Sequence, residues 1–482
     1  MKLKDLKKAG LIAGLLLTLT NLNEAQTSAR RASAKSAKPS VSVISERNVR
    51  AEMGFLASDA LQGRGSGTQQ EWLAGQYIGS QLQQFGVEPT GEMDTQNNPT
   101  YLQTVSITRN SFSENPKISY DSKTLDYGKD FIALRISAEQ MSGGLQKITL
   151  DGKPRAGAVA FLKLQPTDDM QTVGQKLNAM ASSGAAAILV EETPQYRARW
   201  ENTASRRLSY TQISGKTEIQ TSIFIVSKDT AEKLAQIAEG TNIDIKGKLG
   251  DAQKLQTWNA VGKITGSDPR LKSEVILLSA HMDHLGVRVN APGDDKIFNG
   301  ADDDASGCVA VLEMARVLAA GSKPKRTVYF AFFGSEEAGG YGAQYYVNNL
   351  PYPKENLVAN LEFEMIGRPD AKVKPEELWL TGYERSDLGA ELAKRGAKLV
   401  QDPHPDQNFF QRSDNYTLAR QGVIAHTVSS YDALDAYYHK PSDEIKTIDF
   451  SHMTRAINSM VAPVQWLVNS SFKPKWYEGK KP

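Results

Sequence analysis

Three short stretches between residues 275 and 337 set histidine and carboxylates against strongly apolar runs. They read V-I-L-L-S-A-H-M-D-H-L-G, N-G-A-D-D-D-A-S-G and T-V-Y-F-A-F-F-G-S-E-E. A fold that aligned the apolar runs would bring the polar ends together, and clustered imidazole and carboxylate donors are how a metal site is assembled. His281 and Asp283 stand two apart after the first run. The imidazole could bind an ion while Asp283 accepts its other ring N–H and fixes the tautomer. Asp302, Asp303 and Asp304 repel one another unless a cation neutralises them, and Gly300 and Gly307 on either side permit a tight turn. Glu336 and Glu337 are neighbours, and neighbouring side chains in extended chain point apart. One of the two could bind metal while the other faces a substrate.

The elements that must position these groups are legible nearby. Residues 275–278 and 327–333 are continuous apolar runs, which suits strands buried on both faces of a parallel or mixed sheet. Open α/β sheets bind ligands beyond the carboxyl ends of their strands, where His281 and Asp283 fall. Residues 308–318 read as a buried helix, 457–468 as a closing helix and 423–428 as a further strand. Residues 357–366, L-V-A-N-L-E-F-E-M-I, place Glu362 and Glu364 on one strand face. The second promising histidine lies in Y-Y-H-K-P-S-D, residues 437–443. Upstream, Val49, Met53 and Leu56 have helical spacing; Thr68 with Glu71 signals a helix start and Gly86 its end. The glycine-rich L-Q-G-R-G-S-G-T between them lacks the strand and lysine that phosphate cradling needs, so it is a weak nucleotide motif.

At 482 residues the chain is long enough for two globular units. With 57 Lys and Arg against 55 Asp and Glu, the net charge of +2 gives no nucleic-acid surface. Lys2, Lys4, Lys7 and Lys8 precede A-G-L-I-A-G-L-L-L-T-L-T, the order of an export signal over residues 1–27. The apolar stretch is short for a bilayer; an amino-terminal anchor is the alternative. Residues 28–43 read as a flexible tether. Cys308 is the only cysteine and, inside an apolar helix, a core residue. Residues 115–251 look like a separate unit, with strands at 158–164, 186–190 and 221–226, a helix carrying Val173, Leu177 and Met180, and no clustered ligands.

The joint occurrence of H-M-D, G-A-D-D-D-A-S-G, S-E-E, N-L-E-F-E-M-I-G and Y-Y-H-K-P-S-D, in that order, resembles the dizinc aminopeptidases of the co-catalytic zinc exopeptidase clan, to which prostate-specific membrane antigen and glutaminyl cyclase also belong. The resemblance implies an α/β three-layer sandwich with a mixed central sheet over 44–125 and 252–470. It also implies an inserted, smaller protease-associated (PA) domain of β/α type over 126–251, and a tail over 471–482. It implies two Zn²⁺ ions per chain: His281, Asp303 and Glu364 on one, His439, Asp303 and Glu337 on the other, with Asp303 shared and the Asp303–Asp304 peptide cis. Glu336 falls on the general base and Asp283 on the carboxylate behind the histidine. The family usually has aspartate where this chain has Glu364, which leaves Glu362 as the alternative ligand. Phe410 stands where some members carry an oxyanion-stabilising tyrosine, and Tyr438 is the substitute candidate.

The implied activity is an exported aminopeptidase, secreted or periplasmic, acting on peptides with a free amino terminus, with no nucleic acid and no stable membrane insertion after signal removal. A carboxypeptidase of the same clan is an alternative; it would need an arginine cluster, and Arg412 alone is thin support. An inactive binding protein on the same fold is another, which full retention of ligands and base disfavours. A serine triad is disfavoured because no G-x-S-x-G elbow surrounds Ser279 or Ser335. His404, His426 and His452 read as structural. His284 reads as a loop residue beside the site that could touch substrate, with a non-ligand role favoured. Asp302 and Asp304 read as loop caps, Asp443 as orienting the His439 loop, and Ser413 and Asp414 as either pocket-lining or turn residues.

Overall fold

The structure is a computed structural model and describes residues 43–482 except 166–167, 169–172, 175, 178–179, 181–182 and 215–220. The expected signal and nearly all of the tether lie outside the described residues. No described helix is long and apolar enough to cross a membrane.

Across the main sheet the strands run in the order Leu399–Gln401, Leu378–Leu380, Ala425–Ser429, Leu357–Phe363, Val275–His281, Thr327–Phe333 and Asn242–Ile264. Val275–His281 is parallel to Thr327–Phe333 and to Leu357–Phe363, which is parallel to Ala425–Ser429. Asn242–Ile264 and Leu378–Leu380 join antiparallel, so the sheet is mixed as expected. Register decides what meets at the edge. His281 pairs with Phe333, and Ser279 pairs with Glu362. The chain leaving these strands therefore delivers 281–284, 334–337 and 364 to the same side.

Both faces of the sheet are covered. Ile276, Leu278, Ala280, Phe330 and Phe332 pack with apolar residues of helices Glu46–Leu56, Gln69–Phe85, Gly307–Ala320 and Phe450–Asn469. Val275, Leu277, Tyr329 and Phe333 face Tyr341–Asn348 and Asn415–Ala419. Period-two alternation splits one continuous apolar run between two cores. Thr68 caps Gln69–Phe85 by accepting the Glu71 N–H, and Gly86 ends it at φ +79°.

The sheet continues into a second group of strands. Val159–Leu162, Ala187–Glu191 and Ser222–Val226 are mutually parallel, with Gln140–Ile148 and Phe131–Arg135 at their flanks. Val173, Leu177 and Met180 are helical and buried against them. Its connection to the main sheet was not legible in sequence. Leu102–Tyr120 and Asn242–Ile264 pair antiparallel, and the latter joins Thr327–Phe333 at one end and Gln140–Ile148 at the other. The seam thus falls inside two long strands.

Candidate metal centre

Each loop at the sheet edge is aimed by buried hydrogen bonds. Asp304 accepts the N–H of His281 (3.1 Å), Gly307 (3.0 Å) and Met365 (3.1 Å), tying three loops to one carboxylate. Asp302 accepts from Gly367 N–H (2.6 Å) and the Ser306 hydroxyl (3.0 Å). Asp443 accepts the N–H of Asp302 and Asp303 and pairs with Arg368 at 2.8 Å. The Asp303–Asp304 peptide is cis. With its neighbours engaged, Asp303 turns the other way, and its carboxylate meets three imidazoles.

His281 Nε2 lies 3.1 Å from Asp303 Oδ1, and Glu364 joins these two within 4.8 Å. On the other oxygen, His439 Nε2 lies 3.2 Å from Asp303 Oδ2 and 3.1 Å from Glu337 Oε1. The structure therefore brings the five residues named as ligands together, four of them around the shared Asp303. Glu362 is not in either group: its carboxylate accepts the Asn415 N–H.

Asp283 differs from its expected role. His281 Nδ1 is 3.2 Å from the Asp283 carbonyl oxygen and 3.8 Å from its carboxylate. That carboxylate accepts the N–H of Glu336 (2.9 Å) and Glu337 (3.3 Å) and the Ser66 hydroxyl. It positions the glutamate loop more directly than the imidazole. Tyr438 stacks on His439 with ring centroids 3.9 Å apart, its hydroxyl 3.5 Å from Arg412. Both Tyr438 and Arg412 line a pocket beside Glu364 whose wall includes Trp379, Phe409 and Tyr431.

One contributor escaped the sequence reading, and a second, His284, was read as lying beside the site. Arg64, in the glycine-rich loop, is buried and donates to the carbonyls of Leu56, Met282, Asn299 and Gly300, clamping two loops of the site. Those acceptors lie up to 236 positions away, so no local pattern could reveal them. His284 is fully buried, with Nδ1 2.9 Å from Glu337 Oε1; its H-M-D-H spacing was the available signal. Gly300 at φ +60° makes room for both Asp303 and His284, since a Cβ there would overlap the Asp303 carbonyl and the His284 ring.

The electrostatics single out Asp303. Burial alone would raise its pKa, but His284, His281 and His439 outweigh that and hold the carboxyl well below its usual range. Glu336 is the opposite case: burial, with Asp414, Glu364 and Glu337 nearby, pushes it well above the ordinary carboxylate value. Asp414 is pushed to about 8 by burial, Asp283 and Glu364.

His281 Nε2, His284 Nδ1 and Glu337 Oε1 are buried atoms with no hydrogen-bond partner among the described residues. Buried polar atoms are ordinarily paired. His284 Nδ1 faces Glu337 Oε1 at 2.9 Å and His281 Nε2 faces Asp303 at 3.1 Å without hydrogen-bonding, as donors around a bound cation do, and nitrogen with carboxylate oxygen suits zinc. The residues fit such an ion. A second group, Asp370, His404 and Asp432, does not present free donors. His404 Nε2 is 2.8 Å from Asp370, and the carboxylates accept from Ala371, Lys372 and Leu434. His426 and His452 are likewise engaged, by Ser386 and Thr381 and by Ser430 and Pro375.

Residues 259–464 match the model of Peptidase family M28. Leupeptin-inactivating enzyme 1 of Streptomyces exfoliatus is 34% identical over 237 residues, 44% of this chain and 51% of that protein. An aminopeptidase of Pseudomonas aeruginosa is 38% identical over 121 residues, 24% of this chain and 20% of that protein. The chain thus spans about half or less of the length of these curated relatives. Among solved structures, the aminopeptidase from Aneurinibacillus sp. strain AM-1 has the same fold, with a TM-score of 0.50 at 18% identity over 89% of this chain and 95% of that one. The segment that matches the Peptidase family M28 model, 259–464, holds every residue of the cluster.

Proposed function

We propose that this chain is a zinc-dependent aminopeptidase that removes amino-terminal residues from peptides. The observation that carries the reading is Asp303, shared between His281 with Glu364 on one side and His439 with Glu337 on the other. His281, Asp303 and Glu364 would hold one zinc, and His439, Asp303 and Glu337 the other. Bound there, the ions would lower the pKa of water toward about 7 and polarise a scissile carbonyl.

The remaining steps belong to the chain. Glu336 accepts the proton of the attacking water and passes it to the departing amine; a carboxylate whose pKa is raised by burial holds that proton between the two transfers. Asp283 keeps Glu336 and Glu337 in place through their N–H groups. Tyr438, beside Glu364 in the pocket, is the candidate for stabilising the oxyanion. Buried carboxylates around the site favour a free α-amine on the substrate. Residues 126–251 are read as a PA insertion in a peptidase domain of 44–125 and 252–470; entry and exit through adjacent antiparallel strands support it. Export by residues 1–27 places the enzyme in the periplasm or outside the cell.

Cleavage of matched peptides with free and blocked amino termini tests the assignment. The free peptide is expected to be cut and the blocked one spared; equal cleavage discards the aminopeptidase reading. Glu336→Gln is expected to keep its zinc and lose about 10²–10⁴-fold in kcat. Undiminished turnover discards the proposed base.

A further inference from the structure

The five residues assigned to the two ions leave one buried imidazole unexplained. His284 is held by its backbone, its N–H donating to the Arg64 carbonyl at 3.2 Å and its residue bridging to Gly65. Its side chain is 0% exposed, and neither ring nitrogen has a hydrogen-bond partner among the described residues. Nδ1 is aimed at the oxygens that His439 also meets: 2.9 Å from Glu337 Oε1 and 3.8 Å from Asp303 Oδ2. The 2.9 Å approach would be a good hydrogen-bond length, yet the Glu337 oxygen lies off the ring N–H direction and is itself unpaired.

Donor atoms of His284, Asp303 and Glu337 all lie within 4.8 Å of one another, and His439 Nε2 meets the last two at 3.2 and 3.1 Å. Donors about 2.0–2.1 Å from a tetrahedral zinc lie about 3.3 Å from one another. His284 Nδ1, His439 Nε2, Asp303 Oδ2 and Glu337 Oε1 are separated by 2.9, 3.1, 3.2 and 3.8 Å along the four edges known. Around His281, Asp303 and Glu364 no fourth protein donor gathers among the described residues.

We propose that His284 is a further metal ligand, so that the ion beside Glu337 has four protein donors and the ion beside Glu364 three. The inference rests on reading the cluster as a pair of metal sites. It makes the two sites unequal. A site closed by four protein donors keeps its ion, whereas one with three leaves a position for water or substrate. The ion next to Glu364, which borders the aromatic pocket, is then the one that meets the substrate.

The zinc-loaded chain, its H284Q and H439Q variants and the double variant provide the test. X-ray absorption on the zinc edge is expected to count three imidazoles per zinc pair in the wild type and two in H284Q. Competitive titration with a chelator should show H284Q weakening the tighter zinc by more than the about 10–100-fold that loss of an outer partner costs. After dialysis H439Q should keep two zincs, held by His284, Asp303 and Glu337, and the double variant one. An unchanged imidazole count in H284Q with both zincs present overturns the assignment and leaves the ion pair standing. Loss of one zinc from H439Q overturns it as well, and decides the matter should H284Q not fold. A wild-type chain that takes up no zinc overturns both readings.

Discussion

The strands Val159–Leu162, Ala187–Glu191 and Ser222–Val226 are as parallel and nearly as buried as Val275–His281, Thr327–Phe333 and Leu357–Phe363. The two groups of strands differ in the residues at and beyond the strand ends. Among the described residues of 126–251 the buried polar side chains are Thr221, Ser222 and Thr230, all uncharged. Past the strands of the main sheet come His281, Asp283, His284, Asp302, Asp303 and Asp304, every one buried. Parallel pairing delivers strand ends to a common edge in both groups, so the sheet alone does not make a site. A second set of contacts does, in which Arg64, Asp304 and Asp443 take up the backbone groups of the loops and leave Asp303 facing the histidines. That arrangement holds many buried charges, which are costly unless paired or metal-bound. The apolar group has no such cost.

Glycine substitution should separate the two regions most sharply. Gly300→Ala forces a Cβ into the Asp303 backbone and the His284 ring, and is expected to release zinc and lower kcat/KM at least about 100-fold. Gly240→Ala, also at positive φ but with open space around it, is expected to cost only about 1–2 kcal/mol and keep the zinc. Zinc content and thermal unfolding measured on both variants check this, and equal zinc loss would erase the distinction. Next in size, Phe224→Ala empties a fully buried position against Phe131 and should cost about 3–5 kcal/mol by denaturant unfolding, with zinc content unchanged.

The smallest effect concerns acid. His426, whose ring nitrogens meet Ser386 and Thr381, is held neutral by burial, with the Arg385 charge adding to that, and its pKa is lowered to about 4. Its folded value lies below the unfolded one of about 6.5, so below that pH the unfolded chain takes up a proton that the folded chain refuses. Stability from this residue is complete above about pH 6.5 and falls by about 3 kcal/mol as the pH drops to about 4. Unfolding free energies across that window should decline less steeply in His426→Gln than in the wild type. Parallel declines would mean that other groups govern the acid limit.

How much of this could be read in the chain depended on the range of the contacts. The apolar runs 275–278 and 327–333, followed by His281 and Gly334, announced buried strands with chemistry at their ends, because the signal lies within a dozen positions. Glu364 over Glu362 needed the register of Leu357–Phe363 against Val275–His281, which periodicity cannot supply. Arg64 sat in a loop read only for its glycines, since its acceptors come from residues 56, 282, 299 and 300. The long strands 102–120 and 242–264 hid for another reason: the middle of the second is solvent-facing and polar and the first alternates buried with exposed residues, so neither carries the apolar run that marks a buried strand.

The Asp283 carboxylate fixes the gap between two neighbouring strands at their tips, because it hangs from one and grips the peptide groups of Glu336 and Glu337 just past the other. Drift elsewhere along either strand would be absorbed before it reached the glutamates. The sheet could therefore exchange one apolar residue for another over evolutionary time while the distance from imidazole to carboxylate stayed constant.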